Sequence, residues 1–147
     1  MKEGNISNTK STSQHAVDEF FRALSERDLS IASAVLTKET VEIIPLAMAG
    51  GTDPERVFDG KDAVLGYLQT ILDNFKHAVI VDRRTFTTND GATVFVEGRG
   101  DLILEKTGQP YNNVYVFKFS ISDGKITEIR EYANPVIYAK ALGLKVG

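Results

Sequence analysis

Two alternating strands joined by a tight turn, from Tyr111 to Pro135, constrain this fold more than any other part of the sequence. Asp123 and Gly124 mark the turn, and this pair of residues favours a hairpin. Residues at every second position of a strand share one face, and on the first strand that face is largely aromatic. Its members are Asn113, Tyr115, Phe117, Phe119 and Ile121. The hairpin therefore predicts an antiparallel sheet whose aromatic face covers a core.

The turn leaves two registers open for the second strand. A two-residue turn at Asp123–Gly124 places Glu128 and Arg130 opposite the aromatic face and turns Glu131 to the other side. That register sets charged side chains against aromatic ones. The plainer interpretation of Glu131 is an ordinary strand glutamate, paired with Arg130 or Arg99.

The alternative is a three-residue loop, Ser122-Asp123-Gly124, with a glycine bulge. Lys118 then faces Glu128 in a favourable cross-strand ion pair, and Tyr115 faces Glu131. We favour this register because it pairs apolar residues with apolar ones and opposite charges with each other. It turns Glu131 into the aromatic face, where desolvation would raise the pKa of the carboxyl and suit it to general acid or base chemistry near neutral pH.

Helices are predicted before the sheet. Residues 1–12 are polar and predicted to be a flexible tail, and Ser13 is the predicted N-cap of the first helix. A second, short helix follows closely, and the two form a helical hairpin. A third helix, from about residue 62 to residue 75, has its apolar residues at helical spacing.

The connection to the third helix contains a short strand and a loop. Residues 40–46 are β-branched, and Pro45 restricts them to a sheet edge or a strand end because proline cannot donate to a sheet ladder. Residues 47–59 contain a Gly-Gly pair and Pro54. They are either a lid over a pocket or a disordered connection.

After the third helix the hydrophobic period changes to two. Strands at 77–88 and 93–105 precede the hairpin, and a short helix ending at Gly143 follows it. This order predicts an α+β fold, a cone-shaped roll in which a curved antiparallel sheet wraps around N-terminal helices and leaves a pocket. One side of the second of these strands is apolar and is predicted to form an exposed outer patch, which favours a homodimer through the sheet. Its residues are Val94, Val96, Leu102 and Leu104.

Composition excludes several classes of function. The 147 residues carry a net charge of -3, without the basic excess of a nucleic-acid-binding protein. There is no cysteine, which excludes Cys-based metal sites, and two histidines are too few for a His-rich zinc site. A metal held by oxygen ligands stays possible but has no motif in the sequence, so no metal site is assigned and no cofactor is implied. No apolar run approaches the length of a membrane span, and the start lacks the apolar core of a signal peptide. We therefore expect a cytoplasmic protein that binds a small molecule and contacts no membrane.

The candidate site is centred on Glu131 as the catalytic acid or base. Its predicted substrate-binding residues are Tyr67, Tyr115, Asn113, Glu97, Phe117, Phe20 and Asn134. Each has a plainer interpretation beside the functional one. The tyrosines and phenylalanines are typical of a core, the asparagines can cap backbone groups at strand ends, and Glu97 belongs to an alternating polar track typical of a solvated sheet face.

Three stretches of the sequence together resemble the SnoaL-like branch of the nuclear transport factor 2-like superfamily. They are VEIIPLAM, FDGKDAVLGYL and YNNVYVFKFSISDGKITEIREYANP, and their order covers most of the chain beyond the first helices. The resemblance implies that residues 13–147 form one SnoaL-like α+β domain.

The end of the chain is most similar to the phenazine biosynthesis A/B proteins, small dimeric enzymes of this fold that assist a condensation. Their acidic catalyst lies in an Arg-Glu-aromatic-x-Asn-Pro motif, which the resemblance carries to Glu131. Two departures limit the match. A histidine of the middle helix in that family corresponds to Tyr67, and the general base of the related ketosteroid isomerases corresponds to Ile44, which cannot take a proton.

The function predicted from the sequence is acid/base catalysis on a small cyclic or carbonyl-bearing metabolite. An isomerase, a dehydratase and a condensation or cyclase enzyme all fit this description, and none requires a cofactor. The alternatives are a non-catalytic binding protein with the same pocket and a dimerisation module whose cavity is closed by side chains, because the same fold carries all three.

Overall fold

The structure, a computed structural model, describes residues 2–46 and 55–144, with side chains from residue 9 onward. No helix within these ranges is both long and apolar enough to cross a membrane. The elements in chain order are α1 (Lys2–Ser25), α2 (Leu29–Ser33), β1 (Leu36–Ile44), β2 (Arg56–Asp59), α3 (Lys61–Asn74), β3 (Phe75–Thr87), β4 (Thr93–Leu104), β5 (Pro110–Tyr111), β6 (Val114–Ser122), β7 (Lys125–Ala133) and α4 (Pro135–Ala141).

The seven strands form one curved, unclosed sheet in the order β2-β1-β7-β6-β4-β3, and the short β5 pairs with β4. All neighbouring strands are antiparallel except β1 and β7, which run parallel. The predicted α+β roll is therefore confirmed, and the sheet is mixed rather than wholly antiparallel. The parallel pair matters for function because it brings the end of β1 beside the end of β7.

The helices pack on one face of this sheet, which we call the inner face. Phe20 and Phe21 of α1 meet Phe117 and Phe119 of β6 edge-on, with ring centroids 5.1–5.8 Å apart. All four rings are buried. Edge-to-face pairs of this kind add to the stability that burial alone supplies, so the aromatic strand face and the first helix form the centre of the core.

The first helix starts earlier than predicted. It begins at Lys2, so the residues predicted to be a tail are helical from there, and the prediction of Ser13 as an N-cap is wrong. The Ser13 side chain is buried within the helix and donates a hydrogen bond of 2.6 Å to the carbonyl of Gly91. Its hydroxyl ties α1 to the turn between β3 and β4 instead of capping the helix.

The first strand is interior rather than at an edge. β1 lies between β2 and β7, and it ends at Ile44, directly before Pro45. Of the two alternatives that Pro45 allowed, the strand end is correct. Residues 56–59, predicted to belong to a loop, form the edge strand β2, and residues 47–54 of the predicted lid or connection lie outside the described residues.

The apolar side of β4 faces inward, which contradicts the predicted outer patch. Its residues Val94, Val96, Leu102 and Leu104 are all buried. Gly100 shares this face and leaves room for the ring of Tyr115, since a Cβ atom there would lie 2.9 Å from Tyr115 Cε2. Alternation separated the two faces of the strand correctly, but it does not say which face the helices cover.

The hairpin combines features of both predicted registers, and neither prediction was correct as stated. Asp123 and Gly124 form a two-residue turn with φ of 50° and 72°, the positive values that a type I′ turn requires. Ile121 then pairs with Ile126, as the two-residue turn demands. The predicted three-residue loop is absent.

A β-bulge at Thr127 restores the outcome that the three-residue loop was expected to give. The next pair is Ser120 with Glu128, so Thr127 is an extra residue, and Phe117 faces Glu131. The predicted Lys118–Glu128 pair is wrong, because Glu128 instead accepts a hydrogen bond of 2.8 Å from Nε of Arg130. Arg130 is thereby held on the outer face, and the bulge places Glu131 on the inner one.

Candidate active site

A cavity of about 430 Å³ opens where α3 and α4 meet the ends of β1, β6 and β7. Its wall is mostly apolar and aromatic, with Glu131 and Arg56 as the charged residues among the described ones that line it. The aromatic side chains of the wall are Phe58, Tyr67, Phe75, Tyr111, Tyr115 and Tyr138. A largely apolar cavity with few polar groups is typical of a small-molecule site.

Glu131 and Tyr67 meet inside this cavity. The Tyr67 hydroxyl lies 3.3 Å from both Oε1 and Oε2 of Glu131 and donates to the carboxylate. The ring of Phe58 stacks on Tyr67 with centroids 4.4 Å apart and an angle of 19° between the planes. This stacking fixes the phenol, so α3 and β2 together hold a donor against the acid of β7.

A second acid lies behind Glu131. Glu42 on β1 is 0% exposed, and neither carboxyl oxygen has a hydrogen-bond partner of good geometry among the described residues. In the parallel pairing Glu42 lies beside Ile129, two residues before Glu131. Because side chains of a strand alternate between faces, both carboxyls belong to the inner face of the sheet.

Sequence reasoning missed Glu42, although a signal was present. The position examined for a β1 acid was Ile44, which does line the cavity. Glu42 lies two residues earlier and therefore on the same face, inside the β-branched run TVEII. A lone glutamate within such a run is unusual because burial of an unpaired charge is costly.

The pKa values of both carboxyls are raised, but the contributions to the two shifts differ. Burial, followed by the charge of Glu131 and contact with it, raises the pKa of Glu42 well above its usual range. Burial also raises the pKa of Glu131, but contacts with Glu42 and Tyr67 oppose the rise. Burial beside the two acids raises the pKa of Tyr67, which stays a hydrogen-bond donor. Glu42 is thus the stronger proton holder of the two.

Tyr115 lines the cavity from β6 and packs in the aromatic layer. Its ring stacks on Phe117 with centroids 5.5 Å apart, and burial, followed by Tyr111, raises the pKa of its hydroxyl. Phe117 and Phe20 are buried in the core and do not line the cavity. These two phenylalanines are therefore core residues, in agreement with the plainer of the two interpretations of the sequence.

Asn113 is buried and hydrogen-bonded to the protein on both ends of its amide. Nδ2 donates to the Tyr111 hydroxyl at 2.6 Å and to the Asn134 carbonyl at 3.0 Å. Oδ1 accepts from the backbone N–H groups of Val114 at 2.8 Å and Asn134 at 3.1 Å. Asn113 thus joins the start of β6 to the end of β7, outside the cavity wall.

Asn134 lines the cavity, whereas Glu97 does not. Asn134 lines the cavity, but its Oδ1 accepts from the Val136 N–H at 2.9 Å and caps α4. Glu97 lies on the outer face, opposite Arg84 of β3, and does not line the cavity. The described residues contain no group of three His, Asp or Glu side chains arranged to hold a metal ion.

A curved sheet packed on helices around a cavity defines the nuclear transport factor 2-like class of α+β proteins. Within that class, residues 17–129 match the family model of the SnoaL-like domain, and the chain belongs to this family. The resemblance predicted from the three sequence stretches is thereby confirmed.

One curated protein and several solved structures are similar to the chain at low sequence identity. The uncharacterised protein YesE of Bacillus subtilis (strain 168) is 26% identical over 124 residues, 84% of this chain and 82% of that protein. A phenazine biosynthesis-related protein of Pseudomonas aeruginosa superposes with a TM-score of 0.82 at 20% identity, covering 98% of this chain and 93% of that one. An NTF2-like protein of Burkholderia xenovorans gives 0.73 at 23%, covering 90% and 96%.

Proposed function

We propose that this SnoaL-like protein is a cofactor-independent acid/base enzyme with Glu131 as the catalytic residue. The observation that carries the proposal is the position of Glu131, which lines an apolar cavity and receives hydrogen bonds from Tyr67. Desolvation in such a cavity favours proton transfer because it brings a carboxyl pKa towards the working pH. Arg130, the neighbouring cation in the chain, is engaged with Glu128 and leaves Glu131 free to react.

The proposed proton step needs only the carboxylate and a carbonyl-bearing ligand. Glu131 accepts a proton from the carbon next to the carbonyl, and the C–H electron pair moves into an enolate whose charge rests on the carbonyl oxygen. Return of the proton to another carbon gives isomerisation. Attack of the enolate carbon on a second carbonyl of the ligand gives ring closure, and the new alkoxide takes the proton from Glu131. Loss of a β-hydroxyl group gives dehydration, and the hydroxyl leaves as water with the proton from Glu131.

The shape and chemistry of the cavity support a cyclic ligand. Its aromatic walls suit a flat ring, and its volume of about 430 Å³ lies within the range of small-molecule sites. Arg56 at the wall, with its guanidinium 5.0 Å from the ring centre of Phe58, offers a cation to a carbonyl or acidic substituent. The phenazine biosynthesis-related protein shares the fold that forms this cavity.

A non-catalytic binding protein is the competing function, and the test separates the two. Protein purified under native conditions is examined by mass spectrometry for a bound small molecule, and turnover of that molecule or its analogues is then measured. We expect Glu131→Gln to abolish turnover while keeping the ligand bound. Glu128→Gln, on the outer face of the same strand, is the matched control. Binding without turnover by the unaltered protein would support the competing function.

The open cavity argues against a dimerisation module that is closed by its own side chains. We nevertheless propose that the protein is a homodimer through the outer face of the sheet. That face exposes Phe86 (49% exposed), Phe95 (38%), Val114 (53%) and Val116 (40%) on adjoining strands β3, β4 and β6. These residues replace the inward-facing side of β4 as the apolar patch, and a second copy would cover them.

A further inference from the structure

Glu42 is a fully buried carboxyl that the proton step itself does not use. It is 0% exposed and does not line the cavity, so a ligand cannot touch it. Neither of its oxygens is hydrogen-bonded with good geometry to a described residue. An isolated carboxylate in this position would be strongly destabilising, because burial removes its hydration and nothing replaces it.

Among the residues whose side chains the structure describes, no cation forms an ion pair with either acid. Within residues 9–46 and 55–144, none of the ion pairs involves Glu42 or Glu131. Arg130 is bound to Glu128 on the outer face, and the exposed Arg56 lies over Phe58 at the cavity wall. The titratable groups of the described residues that face the pair are the hydroxyls of Tyr67 from α3, Tyr111 from β5 and Tyr115 from β6, and all three stay protonated because their pKa values are raised.

The sheet register fixes the two carboxyls as neighbours. Glu42 lies beside Ile129 and Ile43 beside Arg130 in the parallel pairing of β1 and β7, so Glu131 projects from the next inner-face position along β7. Burial and the proximity of Glu131 raise the pKa of Glu42 well above its usual range. The two acids are neighbours, no cation of the described residues pairs with them, and Glu42 is fully enclosed. A bound proton is therefore what reduces the negative charge of the pair.

We propose that Glu42 and Glu131 bind one proton between them, and that Glu42 holds it and donates it in a hydrogen bond to the Glu131 carboxylate. Glu42 is then a positioning residue, and this role rests on the proposed function of Glu131 as the base. The carboxylate of Glu131 receives one donor from Glu42 behind it and another from Tyr67. Both donors keep Glu131 ionised and aim it into the cavity.

The shared proton is not consumed in the reaction. When Glu131 takes a proton from the ligand, the pair carries two protons, and it returns to one when Glu131 gives its proton back. Glu42 keeps its own proton throughout because a charged Glu42 would have neither water nor a cation beside it. Glu131, which has access to the cavity, thus exchanges protons with the ligand, and Glu42, which has none, retains its proton.

The test titrates the ligand-free, full-length protein with its glutamate carboxyl carbons isotopically labelled, using NMR. We expect one carboxyl to remain protonated at neutral pH in the unaltered protein. Glu42→Gln should remove that protonated signal and leave Glu131 ionised, whereas Glu131→Gln should keep it. Glu128→Gln, the outer-face control, should change neither signal. The proposal is overturned if every carboxyl is ionised at neutral pH, or if the protonated signal survives in Glu42→Gln.

The Glu131→Gln protein keeps the proposal testable if Glu42→Gln fails to fold. Loss of the neighbouring charge should move the titration of the protonated carboxyl to lower pH than in the unaltered protein, and an unmoved titration would contradict the shared proton. This experiment needs no substrate, so it is independent of turnover. Full activity of Glu131→Gln would refute the proposed function and leave the titration result unchanged. Loss of activity in Glu131→Gln without a protonated carboxyl in the titration would refute the shared proton and leave the proposed function standing.

Discussion

At the scale of single residues, the difference between the two acids is one of access. Glu131 is half-buried and lines the cavity, whereas Glu42 is enclosed on the same face of the sheet. Two carboxylates cannot both be ionised cheaply at short range in a desolvated site. The acid with access to the cavity is therefore the one that benefits from the donors Glu42 and Tyr67, and it is the one suited to exchange protons with a ligand.

The raised pKa of Glu42 predicts a specific dependence of stability on pH. The folded protein holds this proton more tightly than the unfolded chain, in which a glutamate has a pKa of about 4.3. The contribution of Glu42 is full below that value and falls by about 1.4 kcal/mol per pH unit as the pH rises towards the folded pKa. Glu42→Gln should remove this fall, as measured by urea unfolding at several pH values.

The control for this prediction is Glu128→Gln, which also removes one glutamate but from the outer face. The difference in unfolding free energy between Glu42→Gln and the unaltered protein should shift steadily in favour of Glu42→Gln as the pH rises. The difference between Glu128→Gln and the unaltered protein should not show this shift. Parallel curves of stability against pH for the unaltered protein and Glu42→Gln would show that Glu42 titrates alike in the folded and unfolded states.

Tyr67 should tune the acidity of Glu131. Tyr67→Phe removes the hydroxyl that donates to the ionised carboxylate, so the pKa of Glu131 should rise further, while stability falls by only about 1 kcal/mol. NMR titration of labelled glutamate carboxyls measures the shift. Tyr138→Phe, which removes another hydroxyl from the cavity wall, is the matched control. A Glu131 titration that moves to lower pH, or not at all, would count against the hydrogen bond.

At the scale of elements, two features of β7 create the site. Its parallel pairing with β1 brings Glu42 beside it, and the bulge at Thr127 turns Glu131 inward. Asp123 and Gly124 were recognisable as a turn because their residue types favour positive φ. The bulge has no comparable signal in the sequence, since a threonine in a strand is unremarkable, and so the correct face of Glu131 was reached through a wrong register.

The other sequence predictions were correct where local spacing decides the structure and wrong where contacts between distant segments decide it. Period and order of elements were sufficient for the α+β roll, because they depend on local spacing. Contacts between distant segments decide which face of β4 is covered by the helices. They also decide that β1 pairs with β7. Glu42 was missed because its burial contradicts the usual preference of glutamate for water. Such exceptions are characteristic of functional sites, and local patterns do not predict them.

Asn113 should act on stability by joining β6 to β7. Asn113→Ala removes four hydrogen bonds, among them both bonds to the backbone of Asn134, and leaves buried polar groups unpaired. We expect a loss of about 2–4 kcal/mol in urea unfolding. Asn112→Ala, at the exposed neighbouring position, should cost far less. Unchanged stability combined with weaker ligand binding would instead support the direct substrate contact predicted from the sequence.

At the scale of the whole molecule, the outer face of the sheet exposes a surface that carries the apolar side chains of Phe86, Phe95, Val114 and Val116. We expect a dimer of twice the 16.2 kDa chain mass by light scattering. Val116→Glu should give a monomer, because it places a charge in the centre of that surface. Val57→Glu, at an exposed position on the edge strand β2, should leave the dimer intact. A monomeric unaltered protein, or a dimeric Val116→Glu, would contradict this arrangement.

The fold as a whole does not identify the reaction. The solved structures of the phenazine biosynthesis-related protein and the NTF2-like protein keep this architecture at identities of 20% and 23%, a level at which the fold is shared but the chemistry is not assured. The function therefore depends on the site, and on whether Glu131 exchanges a proton with what the cavity holds.

The most direct test is exchange of ligand hydrogen with solvent. The molecule recovered from the native protein is returned to ligand-free protein in deuterated buffer, and deuterium at the carbon next to its carbonyl is followed by mass spectrometry. We predict incorporation with the unaltered protein and with Glu128→Gln, and none above the buffer rate with Glu131→Gln. Equal incorporation with Glu131→Gln, or no incorporation while the ligand is bound to the unaltered protein, would contradict Glu131 as the base.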